Sequence, residues 1–236
     1  MTDLEYLKKY YKGNLDDAIK RLESGEAVQY IVGNVDFLDY NFDITHNTLC
    51  PRFETEQLVS ELLELIWKNN FNPHSILDIG TGSGCIAISL ANILDVKVDA
   101  IDISIEALDV AKQNNHKYGD KVNMFQSDIY SNVKDKYDII ISNPPYIRYD
   151  EEIMDIVKTN EPSIALYADD SGLYFYKEII SKAKNYINDK HIIAFEIGQE
   201  QGNDIKEIAL KYFPNDDILL MKDYAGLDRF IFIMSK

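Results

Sequence analysis

Strands and helices alternate along the chain after Pro73, and this alternation constrains the fold more than any other feature of the sequence. Short apolar runs typical of buried strands are separated by segments in which apolar residues recur at helical spacing. Strands that alternate with helices form a parallel sheet covered by helices on both faces. The sequence therefore predicts an α/β fold in which residues 49–236 form one domain.

Seven strands are predicted in this domain. They cover Ser75–Ile79 and residues 96–102, 122–125, 137–142, 191–197, 218–221 and 230–234. The predicted helices cover residues 54–67, 85–94, a segment capped by Ser104, 173–187 and 205–212. Only residues 222–229 separate the last two strands, which is too short for a crossover between parallel strands. We therefore expect a mostly parallel sheet whose last strand is antiparallel.

The residues before this domain follow other patterns. Residues 1–26 predict a short helical N-terminal segment of two polar helices, with Thr2 or Asp3 as the first cap and a break at Gly13-Asn14. Residues 28–44 change to short extended runs, and the aromatic-rich stretch 36–44 predicts a β-hairpin within a linker of residues 27–48. Two such helices cannot bury a core of their own, so they must pack on the rest of the chain or on a partner.

Composition excludes several classes of function. The chain has 24 Lys and Arg against 40 Asp and Glu, a net charge of −16, so it repels phosphate backbones and no direct nucleic-acid partner is expected. Cys50 and Cys85 form no C-x-x-C pair and the four histidines are scattered, so we expect no metal and a reducing compartment. No stretch approaches the about 18 apolar residues of a membrane span. We expect a cytoplasmic monomer with no membrane partner.

A glycine-rich turn follows the first strand of the domain. Asp78-Ile79-Gly80-Thr81-Gly82-Ser83-Gly84 leads from the strand into the helix that begins at Cys85. The glycines let the backbone turn tightly and let a ligand approach without Cβ atoms in the way. The alternative is a plain strand–helix turn, but three alternate glycines exceed what such a turn requires.

The residues around this turn indicate which kind of nucleotide-containing ligand it could bind. The dinucleotide fingerprint G-x-G-x-x-G fails because its third glycine would fall at Cys85, and the Gly-Lys-Ser/Thr of a P-loop is missing from the sequence. A carboxylate at Asp78 would repel phosphate and suits an ammonium group. Asp102 ends the next strand, 22 residues after Gly80, where an acid accepts hydrogen bonds from ribose hydroxyls. The combination predicts S-adenosylmethionine, although Asp102 could instead cap the helix at Ser104.

A second motif, Asn143-Pro144-Pro145-Tyr146, follows the apolar strand 137–142. Two prolines make the backbone rigid, and the carboxyl end of a strand is where open α/β sheets bind ligands. The Asn143 side-chain oxygen and the Pro144 carbonyl can accept both N–H bonds of a planar amino group, on which Tyr146 can stack. The alternative is a rigid turn with no ligand.

With these motifs, the sequence resembles the class I S-adenosylmethionine-dependent methyltransferases of the N-methylating branch. It is most similar to the PrmC/HemK family, whose members methylate the glutamine side-chain amide of peptide-chain release factors. Besides the two motifs, the similar segments are residues 28–33, 51–56, 76–88, 126–128, 161–162, 165–166, 172–173, 196–198 with Gln201, 222–223 and 228–229. Two features depart from the family: Phe53 stands where a proline is usual, and the N-terminal segment is shorter than the family's several-helix domain.

The resemblance implies a Rossmann-like class I fold and a set of site residues. The implied cofactor-binding residues are Gly80, Thr81, Gly82, Ser83, Gly84, Asp102, Asp128, Ile129 and Asn143. The implied catalytic residues are Asn143, Pro144 and Tyr146, and substrate contacts come from Asn143, Pro144, Pro145 and Tyr146. Asp102 would hold the ribose, Asp128 would accept from the adenine amino group, and Ile129 would pack on the adenine ring.

The implied activity is methyl transfer from S-adenosylmethionine to the glutamine of the Gly-Gly-Gln motif of release factors, which are the expected partners, in support of translation termination. Three alternatives stay open at this point. The same motif at Asn143 could hold a flipped adenine of DNA or RNA. The substrate could be a ribosomal-protein glutamine, although relatives with that activity lack the acidic segment found at Glu54-Thr55-Glu56. The fold could also be a non-catalytic docking module.

Overall fold

The computed structural model describes residues 2–236. Its nine strands are β1 (Asn34–Phe37), β2 (Tyr40–Asp43), β3 (Ser75–Ile79), β4 (Lys97–Asp102), β5 (Val122–Gln126), β6 (Tyr137–Ser142), β7 (Ile187–Glu196), β8 (Asp217–Lys222) and β9 (Asp228–Met234). The α-helices of these residues are α1 (Asp3–Tyr10), α2 (Leu15–Glu23), α3 (Val28–Val32), α4 (Phe53–Lys68), α5 (Cys85–Leu94), α6 (Ile105–Lys117), α7 (Asp155–Asn160), α8 (Tyr174–Lys182) and α9 (Gly202–Tyr212). No helix within residues 2–236 is long and apolar enough to cross a membrane.

Seven strands form one sheet in the order β5-β4-β3-β6-β7-β9-β8. The first five strands in this order are parallel to one another, whereas β9 is antiparallel to both β7 and β8. This confirms the predicted sheet of seven mostly parallel strands with an antiparallel last strand. The central strands are buried on both faces, and Ile139, Ile140 and Ile141 of β6 are all fully buried. Apolar clusters on the two faces join the sheet to the helices.

The two helices predicted within residues 1–26 are confirmed as α1 and α2, and a third helix, α3, follows in the linker. Thr2, one of the two residues predicted as the first cap, caps α1 in a capping box with Glu5, and Asn14 caps α2. The expectation of extended backbone at residues 28–32 was wrong, because these residues form α3, which ends at Gly33 in the left-handed region. Leu7, Ala18, Val28 and Ile31 are buried together, so packing against α1 and α2 overrides the extended preference of the β-branched residues.

Two further segments differ from the sequence-based expectations. The helix predicted over residues 173–187 ends at Lys182, a short 3₁₀ turn follows at Ala183–Asn185, and β7 begins at Ile187, four residues before the predicted strand. Ile187 pairs with Tyr137 at the start of β6, which draws it into the sheet. Residues 147–172, for which no element was predicted, contain α7 and two 3₁₀ turns. The predicted hairpin is confirmed as the antiparallel pair β1–β2.

Candidate active site

The carboxyl ends of β3, β4, β5 and β6 meet at one edge of the sheet, where they border a cavity of about 330 Å³. Open α/β sheets bind ligands at this edge. We call this space the glycine-turn cavity. The predicted residues that line it are Gly80, Gly82, Asp102, Asp128, Ile129, Asn143, Pro144 and Pro145.

The glycine turn presents its backbone to this cavity. Gly82 has φ of +56°, and a Cβ atom at this position would meet no other atom within 4 Å. Gly84 also has positive φ, but a Cβ atom there would lie 2.9 Å from Ile88 Cδ1 and 3.3 Å from Ala111 Cβ. Thr81, Ser83 and Gly84 are buried behind the turn. Gly82 therefore leaves room for a ligand, whereas Gly84 leaves room for the packing of α5.

Asp78 holds the turn from inside the protein. Its carboxylate is fully buried and accepts a hydrogen bond of 2.7 Å from the Thr81 hydroxyl, while Oδ1 has no hydrogen-bond partner among the described residues. Burial raises the pKa of Asp78 to about 7. Because the carboxylate does not face the cavity, the expectation that it offers a site for an ammonium group was wrong.

Asp102, at the end of β4, faces the cavity. One carboxylate oxygen accepts the Gly82 N–H and the other accepts the Ser104 N–H, each at 2.9 Å. Burial raises the pKa of Asp102, and these backbone donors oppose that rise. The acid therefore joins the glycine turn to the start of α6, as the capping interpretation expected, and keeps lone pairs that a ligand could use, so the ribose contact stays a prediction.

A strained turn after β5 forms another wall of the cavity. Ile129 has φ of +48°, a rare conformation for a β-branched residue. The Ser127 hydroxyl donates to the Ile129 carbonyl at 2.8 Å and accepts the Asn132 N–H at 3.0 Å. Asp128 between them is exposed. Such strain persists only where neighbouring contacts enforce it, and it is concentrated at functional sites.

A second cavity, also of about 330 Å³, adjoins the first and is lined by Tyr146, Met154 and Glu196 among others. We call it the Tyr146 cavity. Leu49, Asn143, Pro144 and Ala165 line both cavities. Of the predicted motif, Pro145 faces only the glycine-turn cavity and Tyr146 only the second one. Asn143 and Pro144 therefore lie at the junction between the two spaces.

The Asn143 amide is held from behind by residues of two other elements. Its Nδ2 donates to the Thr55 hydroxyl at 3.1 Å, and this hydroxyl donates to Glu196 Oε2 at 2.7 Å. The Tyr146 hydroxyl lies 3.4 Å from the other Glu196 oxygen. Burial raises the pKa of Glu196 to about 7 although its hydrogen bonds and the positive charge of Arg229 oppose that rise.

The sequence did not assign roles to several residues around the Tyr146 cavity. Thr55 and Glu196 belong to segments that support the family resemblance, but a sequence pattern does not show that they meet across 141 residues. Arg52, at the start of α4, pairs with Glu161 after α7 and so fixes residues 147–166 over the cavity. Apolar periodicity is weak in that segment, so no local signal could have placed it there.

These features fit S-adenosylmethionine. The glycine-turn cavity combines an open backbone turn at Gly82, a carboxylate at Asp102 and the apolar side chains of Ile129, Phe175 and Ile179. A nucleoside with an amino-acid tail needs these three environments, for its tail, its ribose and its base. The second cavity adjoins the first at Asn143, where a transferable group could pass to a second molecule.

Comparison with known proteins agrees with this interpretation. The sequence model of the family described as "Methyltransferase small domain" matches residues 55–160. The catalytic domain of hMettl16 in complex with MAT2A 3'UTR hairpin 1 is similar in structure, with a TM-score of 0.67 at 17% identity over 99% of this chain and 91% of that chain. Magnesium protoporphyrin IX methyltransferase from Synechocystis PCC 6803 with bound SAM gives a TM-score of 0.53 at 15% identity over 100% and 98%. The chain is a class I, S-adenosylmethionine-dependent methyltransferase.

The sequence relatives define the family within this class. The chain is 40% identical to the release factor glutamine methyltransferase of Streptococcus pneumoniae over 93% of its own length and 78% of the relative. It is 39% identical to the protein with the same name from Bacillus subtilis, over 89% and 75%. The chain belongs to the release factor glutamine methyltransferase family, which confirms the family that the sequence motifs indicated.

Proposed function

We propose that this enzyme transfers a methyl group from S-adenosylmethionine to the side-chain amide nitrogen of the glutamine in the Gly-Gly-Gln motif of peptide-chain release factors. The observation that carries the proposal is the position of Asn143 and Pro144 at the junction of two cavities. One cavity has the features of a nucleoside site, and the other is lined by Tyr146 and suits a flat amide. The activity for which the related proteins are named supports the same assignment.

The glycine-turn cavity holds the cofactor in this proposal. Gly80 and Gly82 take the amino-acid tail against their backbone, with Thr81, Ser83 and Gly84 shaping the turn behind them. Asp102 accepts from the ribose hydroxyls. Asp128 accepts from the adenine amino group, and Ile129 packs on the ring, where its strained backbone fixes the side chain. When bound, the cofactor supplies a strongly electrophilic methyl group attached to a sulfonium.

Asn143 and Pro144 prepare the substrate nitrogen. The lone pair of an amide is delocalised into its carbonyl, so the nitrogen is a poor nucleophile. The Asn143 side-chain oxygen and the Pro144 carbonyl accept the two amide N–H bonds and so increase the electron density on the nitrogen. Pro145 keeps this backbone rigid, and Tyr146 packs against the plane of the amide. Positioning and polarisation carry the catalysis, and no strong base is required before attack. As the new C–N bond forms, the bond between the methyl group and sulfur breaks, S-adenosylhomocysteine leaves, and the amide nitrogen releases one of its two protons to solvent.

We also propose how the chain is organised for this task. Residues 49–236 form the methyltransferase domain, residues 27–48 link it to the helical segment 1–26, and that segment contributes to docking of the release factor. Leu7, Ala18, Val28 and Ile31 form a small core that ties the segment to the linker. We propose that the enzyme acts as a monomer in the cytoplasm, where release factors work, and without a metal.

A methylation assay tests the proposed function. The enzyme is incubated with labelled S-adenosylmethionine and a bacterial release factor, and the product is digested and mapped by mass spectrometry. We expect one added methyl group, on the glutamine of Gly-Gly-Gln. We expect the Asn143→Ala variant to lose about 10²–10³ in turnover, because one preorganised acceptor at the reacting centre is lost. A methyl group on another residue, or unchanged turnover in the variant, would overturn the proposal.

A further inference from the structure

A chain of hydrogen bonds runs from the reacting centre into the protein core. Asn143 Nδ2 donates to Thr55 Oγ1, and Thr55 Oγ1 donates to Glu196 Oε2. The three residues come from the loop after β6, the first turn of α4 and the end of β7. Thr55 and Glu196 are 3% and 2% exposed, so water cannot readily replace either partner. The direction of donation along this chain is therefore set by the protein.

We propose that Glu196, acting through the Thr55 hydroxyl, is a positioning residue that fixes which end of the Asn143 amide faces the substrate. This inference rests on the proposed function and deepens it. It assigns a role to a buried residue of the Tyr146 cavity. One oxygen of its carboxylate accepts from Thr55 at 2.7 Å, and the other lies 3.4 Å from the Tyr146 hydroxyl.

The direction follows from counting protons. An ionised carboxylate can only accept, so Thr55 must give its single hydroxyl proton to Glu196. The Thr55 oxygen can then only accept from Asn143, and only the amino end of that amide can donate. The two ends of an asparagine amide have nearly the same shape, so shape alone cannot select between them. The carboxylate at Glu196 therefore makes the selection.

The selected orientation is the one that the reaction requires. With its amino end held by Thr55, Asn143 presents Oδ1 to the cavity junction, where it can accept an N–H of the substrate amide. In the reverse orientation, Asn143 Oδ1 would face a Thr55 oxygen whose only proton is already donated to Glu196, and the Asn143 amino group would face the amino group of the substrate amide. Neither pair could form a hydrogen bond, which is unfavourable. Within residues 2–236, no hydrogen-bond donor contacts Asn143 Oδ1, so this oxygen is free to accept.

The surroundings of Glu196 support a functional rather than a stabilising role. No lysine, arginine or histidine nitrogen among the described residues lies within 4.0 Å of its carboxylate. Arg229, the nearby cation, directs its guanidinium to Asp223 Oδ2 at 3.1 Å and to the Ile197 carbonyl at 3.2 Å. A buried carboxylate without a direct ion pair is expensive to maintain. The presence of an unpaired carboxylate at this buried position is explained by its effect on the orientation of Thr55 and Asn143.

The test compares three variants of the full chain. Thr55→Val keeps the shape and removes the hydroxyl, Thr55→Ser keeps the hydroxyl, and Glu196→Gln can donate to Thr55 and so permits the reverse order of hydrogen bonds. We expect Thr55→Val and Glu196→Gln to lower kcat at least about tenfold, within the loss of about 10²–10³ expected for removing the acceptor itself. The KM for release factor and the Kd for S-adenosylmethionine should change much less, and Thr55→Ser should restore kcat.

Two controls separate the proposal from a general loss of structure. Ser89→Ala removes a fully buried hydroxyl on α5 that lies outside the site, and we expect it to leave kcat unchanged. Nuclear magnetic resonance of the Asn143 side-chain amide, assigned by its loss in Asn143→Ala, reports the hydrogen bond to Thr55 without any substrate. We expect its proton shifts to move in Thr55→Val and to stay near wild type in Thr55→Ser.

The outcomes are distinct for the two proposals. The positioning role of Glu196 would be overturned if kcat were unchanged in Thr55→Val. It would also be overturned if the chemical shifts of the Asn143 side-chain amide stayed at their wild-type values in that variant. If the wild-type enzyme left the release factor unmethylated, the proposed function would fail, while the amide shifts would still decide whether Glu196 and Thr55 orient Asn143.

Discussion

At the scale of single residues, two carboxylates with the same chemistry have different roles because their surroundings differ. Asp102 faces the glycine-turn cavity and accepts the N–H groups of Gly82 and Ser104. Glu196 is buried and accepts from Thr55. Asp102 keeps lone pairs that face the cavity, whereas Glu196 lines the Tyr146 cavity but is only 2% exposed, so its carboxylate acts mainly through its protein neighbours. We therefore expect substitutions of Asp102 to change cofactor binding and substitutions of Glu196 to change kcat.

For Asp102, we expect the Asp102→Ala variant to bind S-adenosylmethionine more weakly by on the order of 1.5–3 kcal/mol, because hydrogen bonds to a charged acceptor are lost. The Gly82 N–H also loses its acceptor, so the turn becomes less ordered. Calorimetry with the cofactor measures the change. Asp109→Ala, on the exposed side of α6, is the matched control and should bind like the wild type. If Asp102→Ala bound S-adenosylmethionine as tightly as the wild type does, the role of Asp102 would be limited to capping the helix that follows it.

For Glu196, we expect kcat to fall as the pH falls through about 7, the value to which burial raises its pKa. The ionised carboxylate can only accept and so enforces the hydrogen-bond direction, and one unit below this pKa about a tenth of the Glu196 carboxyls remain ionised. The groups that face Glu196 are Thr55, Tyr146, Arg229 and Glu54. Of these, Arg229 favours ionisation and Glu54 opposes it.

The measurement for Glu196 is a pH–rate profile at saturating cofactor and release factor. Asp78, whose pKa burial also raises to about 7, holds the glycine turn and could affect cofactor binding over the same range, which saturation suppresses. Glu196→Gln has no ionisable group at this position and should give a profile that is flat in this range. A wild-type profile that stays flat from pH 8 to pH 6 would contradict the assignment.

At the scale of elements, the helices and strands that were predicted correctly are those specified by local sequence patterns. The alternation of strands and helices predicted the sheet, and the short connection 222–229 predicted the antiparallel end. The helix α3 was missed because packing against α1 and α2 decides its conformation, whereas four of its five residues are β-branched or aromatic and favour strands in isolation. Local patterns fail wherever distant contacts determine the backbone.

The same limit applies to the site. Glycine and proline have strong local conformational preferences, so the turn at Gly82 and the rim at Pro144 could be recognised from the sequence alone. The hydrogen bonds from Asn143 to Thr55 and on to Glu196 join residues far apart in the chain, and no spacing rule predicts them. Their place in the site required the three-dimensional fold.

The glycine turn gives a prediction at this scale, because two of its glycines have different reasons to be glycine. In Gly82→Val the added side chain enters the open cavity, so we expect loss of cofactor binding and a modest loss of stability of about 1–2 kcal/mol from the positive φ. In Gly84→Val the side chain meets Ile88, Ala111 and Met124, so the loss of stability should be larger.

Thermal unfolding and calorimetry of the two variants separate these effects. Gly82→Val should melt a few degrees below the wild type and show no heat of cofactor binding, whereas Gly84→Val should melt at a much lower temperature. A Gly82→Val variant that keeps wild-type cofactor affinity would exclude the turn as the binding site.

At the scale of the whole molecule, net charge bears on the choice of substrate, which the fold alone does not decide. The hMettl16 catalytic domain was solved in complex with an RNA hairpin and has a fold similar to this chain, at 17% identity. The motif at Asn143 could in geometry hold a flipped base. This chain, however, carries a net charge of −16, and the phosphate backbone dominates the affinity of proteins for nucleic acids. The negative net charge of the chain therefore argues against a nucleic-acid substrate and in favour of a protein substrate, although the fold alone would allow either.

We expect that neither hairpin RNA nor duplex DNA is methylated under conditions in which the release factor is, because an acidic surface repels the phosphate backbone and raises the energy of every encounter. The assay offers the three substrates separately with labelled S-adenosylmethionine and counts the label in each. Lowering the salt strengthens this repulsion by lengthening its range, so binding of RNA should not improve between 150 and 20 mM salt. A protein that binds phosphates through a basic surface would show the opposite trend. The expectation of a protein substrate would be contradicted if RNA or DNA took up as much label as the release factor does. An affinity for RNA that rises as the salt concentration falls would contradict it as well.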